Sequence, residues 1–469
     1  MATKTTKVGR YDIIGAGPAG LTAAYLLSKR GKRVVVWERD KQVGGISKTV
    51  RYKSYRFDVG GHRFFAKMEK ITRLWDEVLG KQFLTVRRSS RIFYKGKFFN
   101  YPLEPRDALA NLGLLEAAAA LASYLKSRIR PIGKEKSLAD IYRNGFGNFL
   151  YLKFFRDYSR RLWGIDPEQM SPDWGRQRVG KLSLLGAVKD AFFPSTGKIK
   201  SLVKSFRYPK YGPGQMWETM AKRIEKSGGE IKLNSPVGKV VHRKGWITAV
   251  EIGGKRRSVD MLISTMALRD LILSLSPVPP KKVVAAAEGL KYRDFILAAL
   301  VVKRKKVFPD QWIYIQDPGF TTLRVQNAGN WSPYLVGGGN KSVLGMEFTA
   351  LEGDRLWRRS DSELFRLAAD EAERLGFVRR GEVVDGRVVR QLKAYPVYDL
   401  GYQRRLETVR QYLDGFKNLV TIGRNGMHKY NNMDHSMLTA IQAVENLFGA
   451  NHDIWQVNVN ADYHEEKKG

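Results

Sequence analysis

Tyr11 to Glu38 reads YDIIGAGPAGLTAAYLLSKRGKRVVVWE. The apolar entry through Tyr11, Ile13 and Ile14 predicts a short buried strand. Gly15, Gly17 and Gly20 follow in G-x-G-x-x-G spacing. Leu21 to Arg30 is a helical run rich in Ala and Leu, and Val34 to Trp37 is a second strand that stops at Glu38. Together these form a complete βαβ unit. Gly15 serves the tight turn, Gly17 lets backbone approach a pyrophosphate, and Gly20 lets helix and strand pack closely. The helix N-terminus offers its N–H groups and positive dipole end to the phosphates. Glu38 is placed to accept hydrogen bonds from a ribose, and its charge repels a 2′-phosphate. Gly44 and Gly45, then FDVGGH ending at Gly60, Gly61 and His62, carry glycine beyond the acid, which suits a ligand extending past its adenosine half.

Composition bounds the rest of the chain. Its 469 residues can bury a sizeable core and divide into two or three units. There is no cysteine, which excludes disulfides, thiolate zinc sites and cysteine nucleophiles. His62, His428 and His435 follow no metal-ligand spacing, so no metal is expected. No stretch reaches about 18 charge-free apolar residues, and MATKTTKVGRYD lacks the apolar segment of a signal peptide. The expected compartment is the cytoplasm. Lys and Arg number 82 against 46 acidic residues, a net charge of +36. Such a charge suits nucleic acid, an anionic membrane surface or a phosphorylated substrate. No nucleic-acid motif accompanies it, so no nucleic-acid partner is expected.

Further along, Met68 to Val78 has helical periodicity. RIFYKGKFFNYP, Arg91 to Pro102, is a hairpin turning at Lys95 and Gly96. Asp107 to Arg128 reads as a long Ala/Leu helix, followed by helices from Ser137 and from Phe149. Lys181 to Tyr211 interleaves Phe192, Phe193 and Phe206 with Lys198, Lys200 and Lys204. That pattern predicts amphipathic helices on anionic lipid, or a packed pair with a basic outer face. Strands follow between Glu230 and Ser264. Pro277 to Pro280 marks a boundary. Phe295–Lys303, Trp312–Ile315, Thr321–Gln326 and Val343–Phe348 suggest an antiparallel sheet. Leu419 to Gly423 is a last strand before a loop and a closing helix, Met437 to Phe448.

The glycine pattern resembles the FAD fingerprint of the amine oxidase, protoporphyrinogen oxidase and UDP-galactopyranose mutase superfamily. Several stretches resemble the mutases in particular: GGHRFF before a helix and hairpin, FFRDYSRRLWGIDPEQM with Tyr158 and Trp163, TLRVQNAGNWSP with Arg324, AYPVY with Tyr395, and GRNGMHKYNNMD with Arg424, Tyr430, Met433 and Asp434. At the mutases' loop-arginine position stands Gln177, flanked by Arg176 and Arg178, either of which can serve. The family's uridine-stacking region has no clear counterpart here.

The resemblance implies an α/β fold: a Rossmann-like FAD-binding domain with an inserted helical domain and an antiparallel substrate sheet. Residues 1–85, 212–276 and 396–469 would be the parts of the FAD domain. Residues 86–104 would be a hairpin of the substrate sheet, 105–211 a helical, membrane-facing domain, and 277–395 the substrate sheet. FAD would be held by Gly15, Gly17, Gly20, Glu38, Gly44, Gly45, Gly61, Arg424, Met433 and Asp434. The implied reaction is pyranose–furanose interconversion of a phosphate-linked, galactose-like hexose, with N5 of the reduced flavin bonding the anomeric carbon. The carrier would be a nucleotide, as the resemblance implies, or a polyprenyl phosphate, which the net charge and the amphipathic stretch suit. Arg324, Arg176 and Arg178 are the candidates for the phosphate. Tyr158, Trp163, Tyr395 and Tyr430 would wall the sugar, with His62 beside the flavin. The alternatives are an FAD-dependent oxidase or desaturase of the same superfamily and a non-enzymatic flavoprotein binding nucleic acid through its charge. A basic chain of this kind would lie peripherally on the inner face of a membrane.

Overall fold

A computed structural model describes residues 9–64, 68–101, 112–178 and 205–458. The first strand, Arg10–Ile14, sits at the centre of a five-stranded parallel sheet. In order the strands are Leu419–Thr421, Met261–Ser264, Arg10–Ile14, Arg33–Trp37 and Glu230–Lys232. Helix Pro18–Ser28 crosses between the first two in sequence. It buries Leu21 and Leu27 against Trp217 and Met220 of helix Gly214–Lys226 and Met437 of helix Met433–Leu447. Gly20 makes this packing close: a Cβ there would lie 1.9 Å from the carbonyl oxygen of Gly15. The closing helix starts at Met433, four residues before the expected Met437, because the Asn432 and His435 side chains cap its first turn.

The strands between Val237 and Ser258 do not finish this sheet. Val237–Arg243, Trp246–Ile252 and Lys255–Ser258 form a separate antiparallel meander, joined by Leu275–Ser276. Its outer strand, KRRS, is exposed at every residue, so charge protects that edge.

A seven-stranded sheet lies beyond, in the order Val383–Pro396, Tyr292–Val302, Ser342–Ala350, Arg324–Asn327, Trp312–Ile315, Ser90–Tyr94 and Lys97–Asn100. It is antiparallel except where Trp312–Ile315 runs parallel to the hairpin strand Ser90–Tyr94. Tyr292–Val302 is buried at every residue. Ile296, Ala298, Leu300 and Val302 face one core, shared with Leu364 and Ala368 of helix Asp361–Arg374. Phe295, Leu297, Ala299 and Val301 face the other, with Trp312 and Trp331. This alternation pins the register, since a slip by one residue would exchange the two faces.

Between residues 112 and 178 the α-helices are Leu114–Ile129, Leu138–Leu150, Arg156–Trp163 and Pro172–Arg178, with a π-helical turn at Tyr151–Phe155. Ser137 and Asp140 form a capping box on the second. That helix kinks at Gly147, whose missing side chain admits the preceding helix: a Cβ would meet the Tyr124 nitrogen at 2.7 Å. Of the basic stretch 181–211, residues up to 204 lie outside the described residues. Its last part is not an amphipathic helix. Ser205–Pro209 is a strand paired with Phe83–Arg87, and it turns Phe206 inward onto Trp331.

Candidate functional site

A cavity of about 1750 Å³ runs from the parallel sheet to the seven-stranded sheet and on to the Leu114–Ile129 helix. Gly15, Gly17, Glu38, Gly45 and Lys48 line its inner end. Helix Pro18–Ser28 begins with Pro and has no side-chain cap, which leaves its first-turn N–H groups for an anion. At Gly17 a Cβ would have only the Gly45 Cα within 4 Å, at 3.8 Å, so that backbone faces open space. The Glu38 carboxylate is buried and oriented, accepting hydrogen bonds from the Ala16 N–H at 2.6 Å and the Asp40 N–H at 2.8 Å. Each oxygen retains acceptor capacity for a ribose hydroxyl. Gly44 and Gly20 do not line the cavity; they shape the turn and the helix packing behind it.

Farther along, Gly61 and His62 meet Gly423, Arg424, Met433 and Asp434. Arg424 donates through Nη1 to the Asn431 carbonyl at 3.0 Å. Its Nε and Nη2 are buried and make no hydrogen bond to a described residue. The guanidinium lies 4.3 Å from the Tyr430 ring centre and 5.1 Å from that of Tyr395, and these two rings stack at 5.9 Å. A half-buried cation with two enclosed, open donors is a place for an anion or for the electronegative edge of a flavin.

His62 has its Nδ1 2.9 Å from the Gly60 carbonyl, which makes Nδ1 the donor. Burial lowers its pKa to about 4, and Arg324 and Arg424 add to the shift. His62 is therefore neutral at physiological pH, with Nε2 an acceptor. The Tyr158 and Tyr395 phenols are raised by burial and stay protonated.

This arrangement fits FAD: an open glycine cradle for the pyrophosphate, an oriented carboxylate for the ribose, and a helix N-terminus and arginine at the far end. A family model for flavin-containing amine oxidoreductases matches residues 18–428. The chain belongs to that family. FAD is its cofactor. A crystal structure of reduced UDP-galactopyranose mutase superposes with a TM-score of 0.84 over 98% of this chain and 100% of that one, at 20% identity. Protoporphyrinogen oxidase 2 of Arabidopsis thaliana is 23% identical over 85% of this chain and 86% of that protein. A 4,4′-diapophytoene desaturase of a Methylomonas species is 40% identical over 60% of this chain and 58% of that protein.

The flavoprotein's two sequence-expected arginine positions differ from expectation. Arg324 lies in the cavity, but its Nε and Nη2 both point to Glu347 Oε2, at 2.7 and 2.6 Å, while Gln326 donates to the other oxygen. Burial raises the Glu347 carboxyl against the pull of Arg324. Burial also opposes the Arg324 charge most strongly of any single cause, but Glu347 together with Tyr395 and Tyr314 outweighs it and holds that guanidinium protonated. A phosphate would have to compete with Glu347 for this arginine. Arg176 is not in the cavity. Helix Pro172–Arg178 directs Trp174 inward and Arg176 outward, where Glu135 and Asp173 pair with it at 3.8 and 3.7 Å. The Arg178 side chain lies outside the described residues. Tyr158, Tyr395 and Tyr430 line the cavity. Trp163 stands one layer back, with Trp174, Tyr395 and Tyr430 packed edge-on around it.

Glu347, Gln326, Trp174, Trp312 and Tyr314 belong to the site and were not singled out by sequence. Glu347 stands between apolar Met346 and Phe348 on a strand, a pattern that reads as a solvent-facing acid as readily as an inward one, so sequence offered no signal that would have separated it.

The Arg324–Glu347 pair makes one prediction. Arg324→Ala leaves a buried carboxylate without its partner and should lower stability by about 3–5 kcal/mol, read from chemical denaturation. Arg324→Met with Glu347→Leu should recover most of that loss. A single variant as stable as the parent would mean that the pair is not formed.

Proposed function

We propose that this flavoprotein is a redox-neutral pyranose–furanose mutase acting on a phosphate-linked hexose of galactose type. The observation that carries the reading is Arg424: a half-buried arginine whose enclosed Nε and Nη2 are open donors, clamped by Tyr395 and Tyr430 at the flavin end of the cavity. A sugar phosphate is an anion that must be held as it leaves the anomeric carbon and kept for its return. Arg424 is suited to that by charge and by its planar fork. Protonated Tyr158 and Tyr395 can donate to sugar hydroxyls, and neutral His62 can accept from one. Trp163 and Trp174 back the tyrosines and keep water from the reacting carbon. Glu347 is tied to Arg324 and Gln326, so it is not free as the base that substrate oxidation would use. Reduced FAD, when bound, supplies the nucleophile for the anomeric carbon.

A second reading, an oxidase or desaturase, is favoured by the outer cavity wall. Phe146, Leu150, Phe154 and Leu162 make that wall apolar, and relatives carry oxidase and desaturase names. The test incubates reduced protein with nucleotide- and prenyl-phosphate-linked hexoses and analyses the ring form of the recovered sugar. Ring-contracted product supports the mutase reading; oxidised or desaturated product with unchanged rings overturns it.

A further inference from the structure

Helix Leu114–Ile129 reads LLEAAAALASYLKSRI. It buries Ala120 and Tyr124 and turns most of its apolar side chains outward. Leu114 is 91% exposed, Leu115 88% and Ile129 78%, with Leu121 and Leu125 about half exposed at 52% and 46%. Residues 114, 118, 121, 125 and 129 follow one helical stripe. A contiguous apolar face of this kind is costly in water and marks an interaction surface. Its only acid, Glu116, is drawn aside by an ion pair with Lys153 at 2.6 Å. Beyond the apolar stripe the exposed charges are basic: Lys126, Arg128 and Arg130, then Lys134 and Lys136.

The same face borders the cavity. Leu114, Ala118 and Leu121 are solvent-exposed and line it too, next to Phe154 on the inside. The cavity therefore opens through the apolar stripe itself.

We infer that the Leu114–Ile129 helix docks on an anionic lipid leaflet and opens the active-site cavity into it, so that a substrate with a long hydrocarbon tail enters from the membrane. Apolar side chains at the mouth and cations beside them complement the two layers such a surface presents, acyl chains and anionic headgroups. The docking stands without the mutase assignment. The consequence that the sugar carrier is a prenyl phosphate rests on that assignment.

The test uses the full-length holoprotein and vesicles of phosphatidylglycerol and phosphatidylcholine, with pure phosphatidylcholine as the neutral comparison. The protein should co-sediment with the anionic vesicles and much less with the neutral ones. Leu115→Glu with Ile129→Glu, neither of which lines the cavity, should weaken co-sedimentation about tenfold or more. Flavin absorbance should stay unchanged. Because the chain has no cysteine, Leu115→Cys and Ile129→Cys each give a single labelling site for an environment-sensitive fluorophore. The label should brighten and shift to the blue on anionic vesicles, while one at Lys255→Cys, on the exposed edge strand, should not. Full binding by the double Glu variant overturns the inference. So does an unchanged label at position 115 on sedimented protein, which also covers the case of a double variant that fails to fold. A protein that is dimeric without lipid, is split by Leu115→Glu and never sediments would assign the face to a second copy of this chain instead.

Discussion

Gly17→Val is expected to give a folded, colourless protein. A Cβ at position 17 meets no described atom closer than the Gly45 Cα at 3.8 Å, so the protein's own packing accommodates the branch point. The added side chain projects into the space that the pyrophosphate needs, beside the first-turn N–H groups of Pro18–Ser28. Flavin released on denaturation should fall from one per chain to a trace, with far-ultraviolet dichroism unchanged. Gly20→Val would not make this distinction, because its Cβ would collide with the Gly15 carbonyl at 1.9 Å and disrupt helix packing directly. A yellow, stoichiometric Gly17→Val protein would place the dinucleotide elsewhere.

Arg424→Ala should be the most damaging change at the substrate end. Two buried donors and the charge between Tyr395 and Tyr430 disappear together. Loss of one such preorganised electrostatic contact lowers turnover roughly 10²- to 10³-fold. Arg424→Lys, a point charge without the fork, should recover part of it. Flavin content separates the two possible partners of this arginine. If the variant retains FAD and loses turnover, Arg424 serves the substrate anion. If FAD is lost in proportion to activity, Arg424 serves the cofactor and the phosphate needs another holder.

The parallel sheet was legible because Tyr11 to Glu38 carries every local signal in one direction: apolar strand, glycine turn, Ala/Leu helix, second strand and acid. The buried strand at Tyr292–Val302 was legible in part from its unbroken apolar run. Its neighbour Val383–Pro396 was not. Residues such as Asp385, Arg387, Arg390 and Lys393 break its alternation, since it stands at the sheet edge with little of its length buried. The aromatics were picked out through family spacing, and Tyr158, Tyr395 and Tyr430 line one cavity. The arginines were harder. Sequence shows which residues are cationic but not which carboxylate has already claimed them. Arg324 and Glu347 meet across paired strands, 23 positions apart. Arg176 faces outward because it follows Trp174 by two residues on a helix, which turns it to nearly the opposite side. The exposed stripe on Leu114–Ile129 was hidden for a related reason: an Ala/Leu run has the same composition whether it fills a core or faces outward, and only the packing of Tyr124 against Gly147 decides which side is inside.

In the proposed mutase reaction, turnover transfers no net electrons. The direct measurement reduces the flavoprotein once under anaerobic conditions, adds excess phosphate-linked hexose, and follows furanose formation together with the flavin spectrum. A mutase gives many product molecules per reduced flavin, with the flavin still reduced at the end and no electron acceptor required. Product formation that stops at one equivalent, or that needs stoichiometric oxygen or another acceptor, would contradict it and assign the protein to the oxidases of its family.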